Sequence, residues 1–289
     1  MEALKKLLTT ATPADPNGSY KGMRVLAQRV GEPAFINIGG EVAHDPASLT
    51  KLMTLYCILK APDTLPATIT ISKYAGDKKR IADHTPNYKA LQIGDSLPFT
   101  TAVQAMITAS DNVTAAALGE ALGEGKSPLE RHRNFVGRMN DTAAALGMSR
   151  TRFVNASGLP ADAKLDLTTE KATTTATDMA TLLTALYREF PQAAQHHLES
   201  PSIQYGRLKE PRKTFHKLDD LNTPTSLLDI DGLHTGAKTG FTSSAWYNIA
   251  TMATDDAGNQ LAGSFSVRAA PPPRRQKHWS AISSSRRKH

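Results

Sequence analysis

HDPASLTKLMTLY, residues 44–56, sets a serine hydroxyl and a lysine amine three positions apart at the head of an apolar run. Positions i and i+3 stack on one face of a helix, so Ser48 and Lys51 would meet there. Leu49, Leu52, Met53, Tyr56 and Leu59 recur near a 3.6-residue period, which predicts a helix over residues 48–60, ended by Ala61-Pro62. Pro46 presets the backbone for a helix start and puts Ser48 in the first turn. Its hydroxyl would then lie near unsatisfied N–H groups and the positive end of the helix dipole, where an oxyanion is stabilised. Lys51 can take the hydroxyl proton only if burial or a nearby cation depresses its pKa. Alone, the pair is an ordinary surface pattern.

Two further motifs change its weight. Ser110-Asp111-Asn112 follows one apolar helical run, TAVQAMITAS (101–110), and opens another. A second hydroxyl can relay a proton to a leaving amine, and an amide two residues on can hold a substrate carbonyl and order the lysine. Read by itself, the tripeptide is a helix N-cap. Lys238-Thr239-Gly240 precedes FTSSAWYNIATMA, read as a strand. On a strand edge, Lys238 and Thr239 suit a substrate that ends in a carboxylate, and Gly240 lets a peptide approach the backbone. Read by itself, it is a turn entering a strand.

Outward from these motifs the chain reads as strands at both ends and helices between. MRVLAQRV (23–30) and PAFINIGG (33–40) are short strands around a VGEP turn. TLPATITIS (64–72) is strand-like. Helices are expected at residues 133–148, closed by Gly147, and at 175–190, with Pro191 after the end. YNIATMA and LAGSFSV are strands flanking the hairpin turn DDAGNQ, and PRRQKHWSAI (273–282) reads as a last helix. Residues 1–20 read as poorly ordered. The order predicts an α/β lobe made from both termini, about 20–60 and 200–285, with a helical lobe, about 61–199, inserted between. Ligands bind in clefts between such lobes.

Composition bounds the rest. The 289 residues are 40% hydrophobic and 21% charged, ordinary for a folded domain. No run approaches 18 consecutive apolar residues, and the apolar part of the N-terminus is too short for a signal-peptide core. The single Cys57 excludes an internal disulfide and reads as a small buried hydrophobe. Adjacent His196 and His197 face different ways on a helix and lack further ligand spacing, so no metal is expected, and no cofactor. The net charge of +7 is concentrated in the tail 271–289, a solvated end or a contact for a membrane surface or anionic polymer. It lacks the interleaved aromatics of a nucleic-acid platform, so no nucleic acid is expected.

Ser-x-x-Lys, Ser-Asp-Asn and Lys-Thr-Gly, in this order, form the set shared by penicillin-binding proteins and class A β-lactamases. The chain resembles the low-molecular-mass penicillin-binding proteins, the serine D-Ala-D-Ala carboxypeptidases of peptidase family S11. The likeness extends past the motifs to LGMSRTRFVNASGLP (146–160) and DGLHTGAKTGFTSSAWYNIATMA (231–253). It implies an α/β (α+β) fold of the β-lactamase/transpeptidase type, an antiparallel sheet with flanking helices plus an all-helical lobe, over about residues 20–285. It implies a carboxypeptidase that removes the terminal D-Ala of peptidoglycan stem peptides, is acylated by β-lactams, and works in the periplasm or cell envelope. Ser48 would be the nucleophile, Lys51 the general base and Ser110 the proton shuttle. Asn112 would hold the substrate amide, and Lys238 and Thr239 its carboxylate. The backbone N–H groups of Ser48 and Phe241 would form the oxyanion hole, and Arg275, with Arg274 next, would add a cation.

His234-Thr235-Gly236 offers an alternative third motif. The interval to Tyr247-Asn248 favours Lys238, whereas Asp231-Gly232-Leu233 fits His234. Glu-x-x-Leu-Asn, which activates the deacylating water of a class A β-lactamase, is absent between Ser110 and Lys238. A D,D-endopeptidase would run the same chemistry on a larger leaving group.

Overall fold

The computed structural model describes residues 24–61, 65–77, 90–161, 168–213 and 233–267. Residues 1–20, the helix expected at 273–282, the basic tail 271–289 and Arg275 lie outside the described residues.

Strands β1 (Arg24–Arg29) and β2 (Ala34–Ile38) pair antiparallel across the expected turn. Gly31 sits in that turn at φ +85°, a conformation that glycine adopts without steric cost. A 3-10 turn, Ala47–Leu49, then leads into helix α1 (Thr50–Leu59). The periodicity of α1 suggested one apolar face, yet every residue from Thr50 to Ile58 is buried. A helix covered all round lies inside a molecule rather than on it. Cys57 is among these buried residues, and burial pushes its thiol up to about 11.

A short ribbon, β3 (Thr68–Thr70) with β4 (Ser96–Pro98), precedes helices α2 (Phe99–Thr108) and α3 (Asn112–Leu122). Helix α4 (Pro128–Ala145) starts five residues before its expected position. Its start signal is Ser127-Pro-Leu-Glu130: the serine hydroxyl accepts from Glu130 N, and proline takes the first turn. Helix α5 (Ala176–Glu189) is capped by Thr175, and a further helix, α6 (Pro191–Leu198), follows at once. Pro191 therefore opens a helix where the sequence reading only closed one. Residues β5 (Ser202–Ile203) and β6 (Arg212–Lys213) form a minimal ribbon.

The last three strands are β7 (Leu233–Thr242), β8 (Trp246–Asp255) and β9 (Gln260–Val267). Lys238-Thr239-Gly240 lies inside β7 rather than before a strand, and the turn comes later, between Thr242 and Trp246. The five-stranded sheet runs β2-β1-β9-β8-β7, so the N-terminal hairpin pairs with the last strand and β7 stands at the edge. Helix α5 packs on β1, β8 and β9, while the Ala47–Leu49 turn packs on β7 and β8. Residues Gly22–Arg268 form one compact unit. None of the described helices is long and apolar enough to cross a membrane.

Candidate active site

Ser48 occupies the middle of the 3-10 turn and is half-exposed, while Lys51, one turn below, is completely buried. The Lys51 amine lies 2.8 Å from Ser48 Oγ, 2.7 Å from Asn112 Oδ1 and 2.6 Å from the Ser157 carbonyl. Two of those three partners can only accept. A neutral amine therefore gives its N–H groups to Asn112 and Ser157 and turns its lone pair toward the Ser48 hydroxyl. Burial, and then the charge of Lys238, hold Lys51 well below the usual lysine range, opposed by the Asp111 carboxylate. That is the arrangement in which a lysine takes up a proton from a serine.

Lys238 projects from β7 as a second buried amine. It donates to Ser110 Oγ at 2.9 Å and to the Thr239 carbonyl at 2.6 Å. Burial pulls its pKa down to about 7. His234, four residues earlier, is exposed, about 13 Å away along the strand at the rise of an extended chain. It is Lys238 that meets Ser110.

Gly240 is where β7 crosses the turn that carries Ser48. A Cβ there would lie 3.0 Å from Pro46 O, 3.1 Å from Ser48 N and 3.2 Å from Leu49 N. The turn is tied to the hairpin from several sides. Asn248, the cross-strand neighbour of Gly240, donates to Asp45 O at 3.1 Å. Ser244 donates to Asp45 Oδ2 at 2.7 Å, and Asp45 Oδ1 accepts from Ala47 N at 2.9 Å. The backbone of Phe241 is next in line; its ring is exposed and lies against Tyr247, tilted by 43° with centroids 4.8 Å apart.

Ala47 and Ser110 have φ of +46° and +53°, and no other non-glycine among the described residues has a positive φ. Left-handed backbone costs an L-residue about 1–2 kcal/mol. The strain sits at the residue before the Ser48 hydroxyl and at the Ser110 hydroxyl itself, where the surrounding bonds fix both groups. Ser48, Ser110 and Thr239 are half-exposed over a buried floor of Lys51, Asn112 and Lys238, so the hydroxyls are open to a ligand.

The family model for D-alanyl-D-alanine carboxypeptidases matches residues 38–263. The chain belongs to that family. It is 31% identical over 219 residues to the D-alanyl-D-alanine carboxypeptidase DacC of Escherichia coli, covering 73% of this chain and 47% of that one. To the Escherichia coli DacA it is 29% identical over 241 residues, covering 82% and 51%. The chain thus spans about half the length of the curated relatives it matches. Among solved structures, the Streptomyces DD-transpeptidase superposes with a TM-score of 0.71 at 20% identity, covering 90% of this chain and 93% of that one, a likeness of fold. A penicillin-binding protein from Listeria monocytogenes in its ampicillin-bound form gives 0.66 at 26% identity, covering 86% and 89%. The mixed fold with an antiparallel sheet is the one the carboxypeptidase resemblance implied.

In this family member the structure also brings to the site residues that the sequence reading left out. The segment Phe153–Leu159 aims the Ser157 carbonyl at Lys51. Asn155 Oδ1 accepts from Ser157 N, Ser157 Oγ and Gly158 N, and Asn155 Nδ2 donates to Leu159 O. Behind it, His132 Nε2 accepts from Ala156 N while Nδ1 faces Ala116 O, which fixes a neutral ring with its proton on Nδ1. An Asn followed by Gly three residues later is the signal for such a turn. The pairing of Asp111 with Tyr205 was missed for a different reason: 94 residues separate them, and no local pattern links them.

Proposed function

We propose that this chain is a serine D,D-carboxypeptidase acting through an acyl-enzyme on Ser48. The observation that carries the reading is the buried, depressed Lys51 amine 2.8 Å from a half-exposed hydroxyl. Ser48 Oγ attacks the carbonyl carbon of the penultimate D-Ala while its proton passes to Lys51. The backbone N–H groups of Ser48 and Phe241 hold the oxyanion. The C–N bond then breaks, and the leaving amine of the terminal D-Ala takes a proton through Ser110. Water attacks the ester, with Lys51 again taking the proton, and frees Ser48. Asn112 orders Lys51 and holds the substrate amide, while Lys238 and Thr239 bind the terminal carboxylate beside Gly240. Arg275 is assigned to the same carboxylate.

The reading extends to a single peptidase domain over about residues 20–285, whose helical lobe is inserted in an α/β lobe. It places the chain in the periplasm or cell envelope, where peptidoglycan is found, with the 271–289 tail available to an anionic surface. β-Lactams present the same carbonyl and carboxylate, so they acylate Ser48, and their ester is expected to persist because the Glu-x-x-Leu-Asn string of class A β-lactamases is absent between Ser110 and Lys238. Incubation with a fluorescent penicillin, followed by peptide mapping, tests this. The label is expected on Ser48, absent in Ser48→Ala and lost slowly on standing. Label on another residue, or rapid turnover of penicillin, rejects the reading. Release of D-Ala from a D-Ala-D-Ala peptide, against cleavage of a cross-linked dimer, distinguishes carboxypeptidase from endopeptidase.

A further inference from the structure

Asp111 stands between Ser110 and Asn112, whose side chains meet the two buried lysines, and the acylation steps above do not use it. Its bonding exceeds what a helix cap needs. A cap carboxylate accepts from one backbone N–H, as Asp111 Oδ1 does from Thr114 N at 2.8 Å. Here the second oxygen, Oδ2, accepts from the Tyr205 hydroxyl at 2.6 Å, a length typical of a phenol on an ionised carboxylate. Asp111 is wholly buried, and its own N–H donates back to Ala105 O at 3.2 Å. Neutral asparagine would cap the helix equally well, so a buried carboxylate at this point calls for another role.

Tyr205 is itself held from outside the site. It precedes Gly206, whose φ is +53° and where a Cβ would come within 2.2 Å of Ala90 O. Arg207 N donates to Ala90 O at 2.8 Å, and the Arg207 guanidinium forks onto both oxygens of Asp95. The turn after β5 is thereby pinned to the segment that leads into β4 and α2. From it the phenol reaches the turn between α2 and α3, on which Ser110 holds its positive φ.

We propose that Asp111 and Tyr205 form a positioning unit: a carboxylate, clamped by a phenol, that fixes the Ser110–Asn112 turn and supplies the negative charge facing Lys51. This rests on the reading of Lys51 as the base for Ser48. The groups around the carboxylate are Tyr205 after β5, Thr114 on α3 and Lys51 on α1; Lys238 on β7 is the second charge acting on Lys51. Burial raises the Asp111 carboxyl, while Tyr205, Thr114 and Lys51 pull it the other way. The charge of Asp111 favours protonated Lys51, so removing it frees the amine at lower pH.

The test compares wild type, Asp111→Asn and Tyr205→Phe in the full chain. Acylation by fluorescent penicillin is followed against pH, and the Lys51 amine is titrated directly by 15N NMR. In Asp111→Asn the acid limb of acylation and the Lys51 titration both move to lower pH. In Tyr205→Phe, which keeps the ring and also serves should Asp111→Asn fail to fold, acylation on the plateau falls about tenfold, as for loss of one hydrogen bond to a charged group. That loss is read well below the thermal midpoint, which itself falls by a few degrees because the buried carboxylate loses a partner. A Lys51 titration unmoved in Asp111→Asn, or Tyr205→Phe acylating as wild type does, overturns the proposal. If wild type is not acylated on Ser48 while the Lys51 titration still moves, the base reading fails and the positioning unit stands.

Discussion

At the residue scale the site is two buried amines, and burial has opposite consequences for the work each would do. In the proposed mechanism Lys51 must be neutral to take the Ser48 proton, whereas Lys238 must be charged to hold a carboxylate. With its pKa pulled down to about 7, Lys238 loses that charge in the free enzyme as pH rises through neutrality. The ratio kcat/KM, which reports groups of the free enzyme, is therefore expected to fall above about pH 7 for a peptide ending in a carboxylate. In Lys238→Arg, whose guanidinium stays charged, the descending limb should disappear; its persistence there assigns the limb to another group. Stability has the opposite sense. An unfolded chain protonates this lysine up to its ordinary value of 10.5, while the folded chain releases the proton near 7. Between those values the unfolded state binds more protons, so folding gains stability as pH rises across that window, and burial costs stability below it. The motif residues were legible because their types and order carry the chemistry. Asp111 as a charge and Tyr205 as its partner were not, because burial and long-range pairing have no local signature.

At the element scale, the positions of backbone contact decide what the side chains can do. Lys-Thr-Gly was read as lying before a strand because LHTGAKTG has small and polar residues in place of an apolar alternation. Those small residues belong to a strand crossed closely by other groups: at Gly236 a Cβ would meet the Tyr187 hydroxyl at 2.0 Å, and at Gly240 the turn that carries Ser48. Two substitutions separate reactivity from stability. Gly240→Ala adds a methyl 3.0–3.2 Å from Pro46 O, Ser48 N and Leu49 N, so the turn must shift by a few tenths of an ångström. Acylation is expected to drop at least about tenfold, since misplacing reacting groups is costly, with little change in thermal midpoint. Gly158→Ala is a different case. Its φ is +81° and the new Cβ would stand 1.8 Å from Ala47 O. Left-handed strain alone costs about 1–2 kcal/mol, and the clash adds to it, so the midpoint itself should fall. Unaltered acylation in Gly240→Ala, or an unaltered midpoint in Gly158→Ala, contradicts these contacts. The helix starts at Pro128 and Pro191 show the converse of the Lys-Thr-Gly case. Pro191 was read as a stop and Pro128 was passed over, although proline opens a helix readily in the first turn.

At the scale of the whole molecule, the site exists only where distant stretches meet. Residues 48–51, 110–112, 155–158 and 238–240 supply it, and the sheet behind it joins β1 to β9 across more than two hundred residues. The order of strands, then helices, then strands made this architecture legible, because the first hairpin can finish its sheet only against the last strands. The exact pairing was beyond it, since alternation names a face and not a neighbour. If Gly22–Arg268 melts as the one compact unit it forms, reactivity and structure must be lost together. Urea titrations followed by far-UV dichroism and by penicillin labelling should give coincident midpoints. Leu26→Ala, in β1 and outside every motif, removes a side chain that is 2% exposed and should cost about 2–5 kcal/mol. It is expected to move both midpoints to lower urea by the same amount while leaving the labelling rate of the folded protein unchanged. Labelling lost ahead of dichroism would mean that the turns carrying Ser110 and Ser157 can leave the sheet on their own.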